Sequence, residues 1–181
     1  MRAIALVLSV MIAGCGYAPS AYGPAGLRAA APLAAHAAAN RRETAIRTYM
    51  QGRFDNHMDP NHDGKSSASE WEQASIWAGS FKDADANKDG VVDFKEFAAV
   101  EQNGIENETR QHESGFKILL SQADRNHDGK IAGKELLYKP NGKKTYDYRP
   151  VDFNNDGEFS VDEYVDASWN LSAGLEPATP L

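Results

Sequence analysis

Apolar residues recur at helical spacing in a few separate stretches of this 181-residue chain, and acid- and glycine-rich segments interrupt them. Ile46, Met50, Phe54 and Met58 share one face of a stretch running from Arg41 to Met58. Phe97 and Val100 mark a helix over Phe94–Gln102, which the Asn103-Gly104 pair is expected to end. Phe116, Leu119 and Leu120 mark a helix from Ile105 to Ala123, and a last apolar segment runs from Tyr164 to Trp169. These stripes predict an all-α core.

The interruptions repeat one phrase, Asp-x-Asn-x-Asp-Gly-x5-Glu, four times. The copies read DPNHDGKSSASE, DANKDGVVDFKE, DRNHDGKIAGKE and DFNNDGEFSVDE, and they start at Asp59, Asp85, Asp124 and Asp152. The phrase spaces oxygen donors as a hard divalent cation requires, with carboxylates and carbonyls around one sharp turn. Position 1 supplies the carboxylates of Asp59, Asp85, Asp124 and Asp152. Position 3 supplies the side-chain carbonyls of Asn61, Asn87, Asn126 and Asn154. Position 5 supplies Asp63, Asp89, Asp128 and Asp156. Glycine at position 6 makes the turn, and position 7 offers only the backbone carbonyl of Lys65, Val91, Lys130 or Glu158. Glu70, Glu96, Glu135 and Glu163 at position 12 close each cage with two oxygens.

Position 9 reaches the metal through water, and only loop 2 has a carboxylate there, Asp93. Charge count therefore ranks loop 2 first, then loop 4, then loops 3 and 1. Position 8 is apolar at Val92, Ile131 and Phe159 but is Ser66 in loop 1, so loop 1 is expected to be the loosest.

Loop starts lie 26, 39 and 28 residues apart. Only 14 residues separate Glu70 from Asp85, which suits one shared helix of about 20 Å. Such a helix would hold loops 1 and 2 at opposite ends. The spacing then predicts that loop 2 pairs with loop 3 through Val92 and Ile131, and loop 1 with loop 4. The alternative pairs loop 1 with 2 and loop 3 with 4. Pro140, Asn141-Gly142 and Pro150 leave loop 4 with a poor incoming helix.

On these motifs residues 41–172 are identified as a member of the EF-hand superfamily. The resemblance implies four helix-loop-helix units in one compact all-α domain, short β bridges between loops, and up to four Ca²⁺ ions. Pro60 and the short spacers also resemble lanmodulin, a lanthanide-selective periplasmic family. That likeness is partial, because position 3 is asparagine throughout and position 9 is acidic only at Asp93. Fewer negative charges favour calcium over trivalent ions.

The N-terminus changes the picture of where this happens. Arg2 precedes the apolar run Ala3–Ala13, which is too short to span a bilayer and ends in Ile12-Ala13-Gly14-Cys15. This resembles a bacterial lipobox and implies a signal peptide over 1–14 and lipidation of Cys15, the sole cysteine. Several acyl chains would anchor the chain firmly in the membrane. Gly16 after the cysteine points to the outer membrane of the cell envelope, facing the periplasm. Residues 15–40, rich in Ala, Gly and Pro, read as a flexible tether, and 173–181 as a disordered tail.

From Cys15 onward, 18 basic residues face 26 acidic ones, a net charge of −8. That balance argues against a nucleic-acid partner. No nucleophile–base constellation points to an enzyme. His62 and His127 occupy position 4 and read as surface residues. Two function classes remain: a calcium buffer or calcium-stabilised scaffold, and a sensor that exposes an apolar groove to an unidentified protein. Met50 and Met58 are the only methionines after the leader, which weighs against a methionine-rich groove.

Overall fold

A computed structural model describes residues 31–74, 79–139 and 145–175. The expected signal peptide, Cys15 and the tether up to residue 30 lie outside the described residues. So does the end of the expected tail, from residue 176.

Helix α1 (Ala31–Arg53) starts ten residues before the expected domain boundary, so residues 31–40 are helical rather than part of a tether. The helix then loosens into a π turn over Phe54–Met58, which buries Phe54 and Met58 and delivers the chain to Asp59.

Loop 1 ends in strand β1 (Lys65–Ser67) and helix α2 (Ala68–Gln73). The expected shared helix between loops 1 and 2 does not form. A second short helix, α3 (Phe81–Ala84), follows Gly79, whose φ of +81° lies in the left-handed region. That break lets the chain fold back, so β1 pairs antiparallel with β2 (Val91–Asp93), placing Ser66 opposite Val92. A rigid helix would have held the two loops apart.

The shared helix occurs one linker later. Helix α4 (Phe94–Ala123) is continuous for 30 residues and leaves loop 2 to enter loop 3. The expected break at Asn103-Gly104 is absent. Both residues are exposed, and a mid-helix glycine costs only about 1 kcal/mol. Burial of Phe97, Ile105, Phe116, Leu119 and Ala123 along the same helix outweighs that cost.

Loops 3 and 4 meet through a bridge between Ala132 and Glu158, and the Phe159 amide donates to the Ile131 carbonyl at 2.8 Å. The pairing is therefore 1 with 2 and 3 with 4, which corrects the 2–3 and 1–4 scheme that the spacing predicted. At the end of loop 3 a 3₁₀ turn (Gly133–Leu136) leads into strands β3 (Leu137–Tyr138) and β4 (Tyr146–Asp147), paired antiparallel. Another 3₁₀ turn (Arg149–Val151) is all the incoming helix that loop 4 has. Helix α5 (Val161–Ser172) leaves loop 4.

Among the described residues three apolar clusters result. Phe54, Met58, Trp71, Ala84, Val92 and Phe97 form the core under loops 1 and 2. Ile131, Phe159, Tyr148, Tyr164, Phe116 and neighbours form the core under loops 3 and 4. Gly115 of α4 lets α5 lie close there, since a Cβ at that position would sit 2.8 Å from Tyr164 Oη. The third cluster joins the halves, with Ala45 of α1, Ile105 of α4, and Val165 and Trp169 of α5.

Residues 173–175 are ordered against this joint, correcting the expected tail. Gly174 is left-handed, its amide donates to Leu171 O, and the Leu175 amide donates to Asn170 O. This is a Schellman cap, and Leu175 packs on the third cluster. Among the described residues no helix is long and apolar enough to cross a membrane.

Candidate metal centre

Each loop is wired by the same local hydrogen bonds. The position-1 aspartates are buried, and each accepts from at least two backbone amides further along. In loop 1 the Asp63 and Gly64 amides donate to the two oxygens of Asp59 at 3.0 and 2.8 Å. The equivalent pairs on Asp85, Asp124 and Asp152 measure 2.9–3.3 Å. The position-3 asparagine oxygens accept from the position-5 amides at 2.7–3.0 Å. The position-5 aspartates accept from the position-7 amides at 2.8–3.1 Å. The side-chain oxygens of positions 1, 3 and 5 are thereby tied to the backbone amides of their own loop.

Two backbone features turn the chain within each loop. Glycine at position 6 takes φ near +85°, from +82° at Gly157 to +87° at Gly90. The residues at position 4, His62, Lys88, His127 and Asn155, are also left-handed, with φ between 56° and 61°. Sequence reading placed the two histidines at the surface and missed this backbone demand. The signal was Asn155, a residue type that tolerates the left-handed region.

Position 9 was expected to serve the metal through water. In the structure it starts the outgoing helix. Ser67, Asp93 and Ser160 accept from the amides of Glu70, Glu96 and Glu163, while those glutamates accept from the position-9 amides. These are capping boxes, and the Ser/Asp-x-x-Glu spelling announces them. Asp93 is thus already engaged as a helix cap. Loop 3 has Ala132, which carries no acceptor, and its outgoing segment is only the 3₁₀ turn.

Closure of the cage differs between loops. The second oxygen of Glu96, Glu135 and Glu163 reaches across to the position-3 amide at 3.1–3.2 Å. Glu70 bonds Ser67 through its amide and hydroxyl, and its other oxygen makes no such cross-loop bond. Ser66 beneath it is fully buried, and its hydroxyl has no partner. Asp124, Asp128 and Glu135 of loop 3 bring one oxygen each within 4.8 Å of one another. That geometry singles out loop 3 for pre-organisation, whereas charge count had singled out loop 2.

Burial raises the pKa of Asp152 and of Glu163, against the lowering effect of the backbone amides each accepts from. Lys130 and Glu158, the position-7 side chains, pair across loops 3 and 4 at 2.6 Å on an exposed surface.

The orphaned hydroxyl under loop 1 gives a direct stability test. Ser66→Val is expected to stabilise the fold by about 1–2 kcal/mol, because it removes an unsatisfied buried donor and adds apolar contact with Val92. Urea denaturation of the two proteins measures it, and a destabilised variant would show that the hydroxyl has an unseen partner.

The donor set of buried aspartates, amide-aligned carboxylates and a closing glutamate fits an oxygen-seeking cation of calcium's size. Over 95 residues the chain is 35% identical to guanylyl cyclase-activating protein 3 of Homo sapiens, a stretch covering 45% of this chain and 44% of that protein. The match thus spans less than half of that relative's length. Residues 36–138, more than half of the chain and including loops 1 to 3, match the calcium-binding region of secreted protein acidic and rich in cysteine. The chain belongs to that family and carries an EF-hand-type calcium-binding domain.

Proposed function

We propose that the chain binds calcium at all four loops and acts as a buffer or calcium-stabilised scaffold in a bacterial cell envelope. The observation that carries the reading is the common wiring of the loops: in each, the position-6 amide donates to the position-1 aspartate, and the position-3 and position-5 side chains accept from the amides two residues on. Asp59, Asn61, Asp63 and Glu70 hold the first ion, with the Lys65 carbonyl. Asp85, Asn87, Asp89 and Glu96 hold the second, with the Val91 carbonyl. Asp124, Asn126, Asp128 and Glu135 hold the third, with the Lys130 carbonyl. Asp152, Asn154, Asp156 and Glu163 hold the fourth, with the Glu158 carbonyl. Three side-chain carboxylates per loop, four in loop 2 with Asp93, and asparagine at position 3 favour calcium over trivalent lanthanides.

A buffer or scaffold role is supported by the closed apolar faces. Among the described residues only Ile118, Leu137 and Val161 are large, apolar and exposed. The sensor alternative draws on the human relative, whose name describes activation of a guanylyl cyclase. The two roles differ in what calcium does to apolar surface: a sensor gains binding of a hydrophobic dye, and a scaffold does not.

The envelope part of the proposal rests on the lipobox-like Ile12-Ala13-Gly14-Cys15. Native mass spectrometry of the calcium-loaded protein is expected to count four ions, and a saturated count of one or none would overturn the four-site reading. Cys15→Ser is expected to move the chain from the membrane fraction to the soluble one. An unchanged membrane fraction would refute lipid anchoring at that residue.

A further inference from the structure

Loop 4 lacks a proper incoming helix, with only the 3₁₀ turn Arg149–Val151 before Asp152. Something else must hold its frame. The structure shows what lies against it: α1, which belongs by sequence to loop 1. Arg42 donates from Nε to Asp166 Oδ1 at 2.7 Å. Its Nη2 donates to the backbone carbonyl of Asp162 at 3.1 Å and to Asp162 Oδ1 at 3.0 Å. Asp166 is almost fully buried, and Arg41 Nη1 lies 3.8 Å from its other oxygen. The Arg41 guanidinium also stacks 4.1 Å above the ring of Phe153.

Those contacts bracket the loop. Phe153 is its position 2, and Asp162 is its position 11, directly before the closing ligand Glu163. Asp166 sits one turn further along α5.

We infer that Arg41 and Arg42 are positioning residues for the fourth calcium site, so that docking of α1 and occupancy of loop 4 favour each other. The inference rests on the proposal that loop 4 binds calcium. The forked guanidinium of Arg42 fixes the backbone of Asp162, and with it the orientation of the glutamate that must close the cage. A flexible lysine could not hold both acceptors in that way. Partners behind metal ligands tune affinity by about 10–100-fold. Because linkage is reciprocal, metal at loop 4 steadies α1, which runs on through the π turn to Asp59 of loop 1.

The sign of the effect separates positioning from plain electrostatics. Deleting a positive charge beside a cation site should tighten binding by Coulomb's law. Loss of positioning should loosen it. The amides of Gly157 and Gly90 each donate to the position-1 aspartate of their own loop at 3.0 Å. Their NMR resonances therefore follow loops 4 and 2 separately during a calcium titration.

In Arg42→Gln, the calcium concentration that half-shifts Gly157 is expected to rise about tenfold, with Gly90 unmoved. Arg42→Lys, which keeps the charge and loses the fork, should fall between. Arg41→Gln is a second, milder variant should Arg42→Gln fold poorly, and far-UV circular dichroism checks that each variant is folded. An unchanged or tightened Gly157 site would overturn the inference. So would an equal shift at Gly90 and Gly157, which would mark general destabilisation. A Gly157 resonance silent to calcium in the unaltered protein, with Gly90 responding, would instead overturn the fourth site itself and the inference with it.

Discussion

Removing calcium with a chelator is expected to lower the melting temperature of this protein by tens of degrees. Each loop gathers one buried aspartate, a second aspartate and a glutamate, whose charges repel one another until a cation arrives, so metal binding is expected to be coupled to folding. One site held at a hundredfold excess over its dissociation constant adds about 2.7 kcal/mol. For a domain of this size that is on the order of 10 °C per site, and several sites act together. The effect should depend on pH in a defined direction. Burial raises the pKa of Asp152 and Glu163 in the metal-free fold above their ordinary values of 3.8 and 4.5. The metal-free fold therefore takes up protons more readily than the unfolded chain does. Protonation stabilises that form and competes with calcium. The calcium-dependent gain should be full at neutral pH and shrink as pH falls through those raised values. Scanning calorimetry with calcium and with chelator, at pH 7.5 and at pH 5, measures both trends. Identical melting with and without calcium at neutral pH would refute metal-coupled folding.

Trp169→Ala is expected to cost about 3–5 kcal/mol, a large share of the roughly 5–15 kcal/mol that holds a domain together. The indole is completely buried where α1, α4 and α5 meet. It packs edge-on against Tyr49 of α1 at 5.4 Å between centroids, and against His112 of α4 at 5.3 Å. Its Nε1 donates to Thr109 Oγ1 at 3.2 Å, so the polar edge is satisfied as well. Burial also lowers the pKa of His112, which keeps the imidazole neutral in this joint at pH 7. Truncation leaves a cavity bordered by three helices. Because this joint, besides α4 itself, is what holds the two loop pairs together, unfolding should also lose cooperativity. A urea titration of the calcium-loaded variant, followed by far-UV signal and by tyrosine fluorescence, should show transitions that no longer coincide. A single transition within 1 kcal/mol of the parent's stability would mean that the Trp169 indole is not what couples the two pairs.

Most of the candidate site was legible in the sequence, because its rules are local. Positions 1, 3, 5, 6, 7 and 12 lie within twelve residues, and the hydrogen bonds that orient them run between near neighbours. The capping boxes at Ser67, Asp93 and Ser160 were equally local, and a closer reading of Ser/Asp-x-x-Glu would have found them. The left-handed position 4 was harder. Lysine and histidine stand there as well as asparagine, and the loop imposes the conformation on them.

The sequence by itself determined the helical class, the four loop phrases and the weak approach to loop 4. Only the tertiary structure decided which loops pair, where the long helix lies and what supports loop 4. Linker length alone favoured a rod between loops 1 and 2 and a break at Gly104. The reverse holds, because joining Ser66 to Val92 across β1 and β2 requires the chain to turn back at Gly79. Burial along α4 meanwhile outweighs the weak helix propensity of one exposed glycine. The grip of Arg41 and Arg42 on loop 4 spans some 120 residues of sequence. No local pattern encodes such a contact, which exists only because α1 and α5 bury their apolar faces against each other around Ala45, Val165 and Trp169.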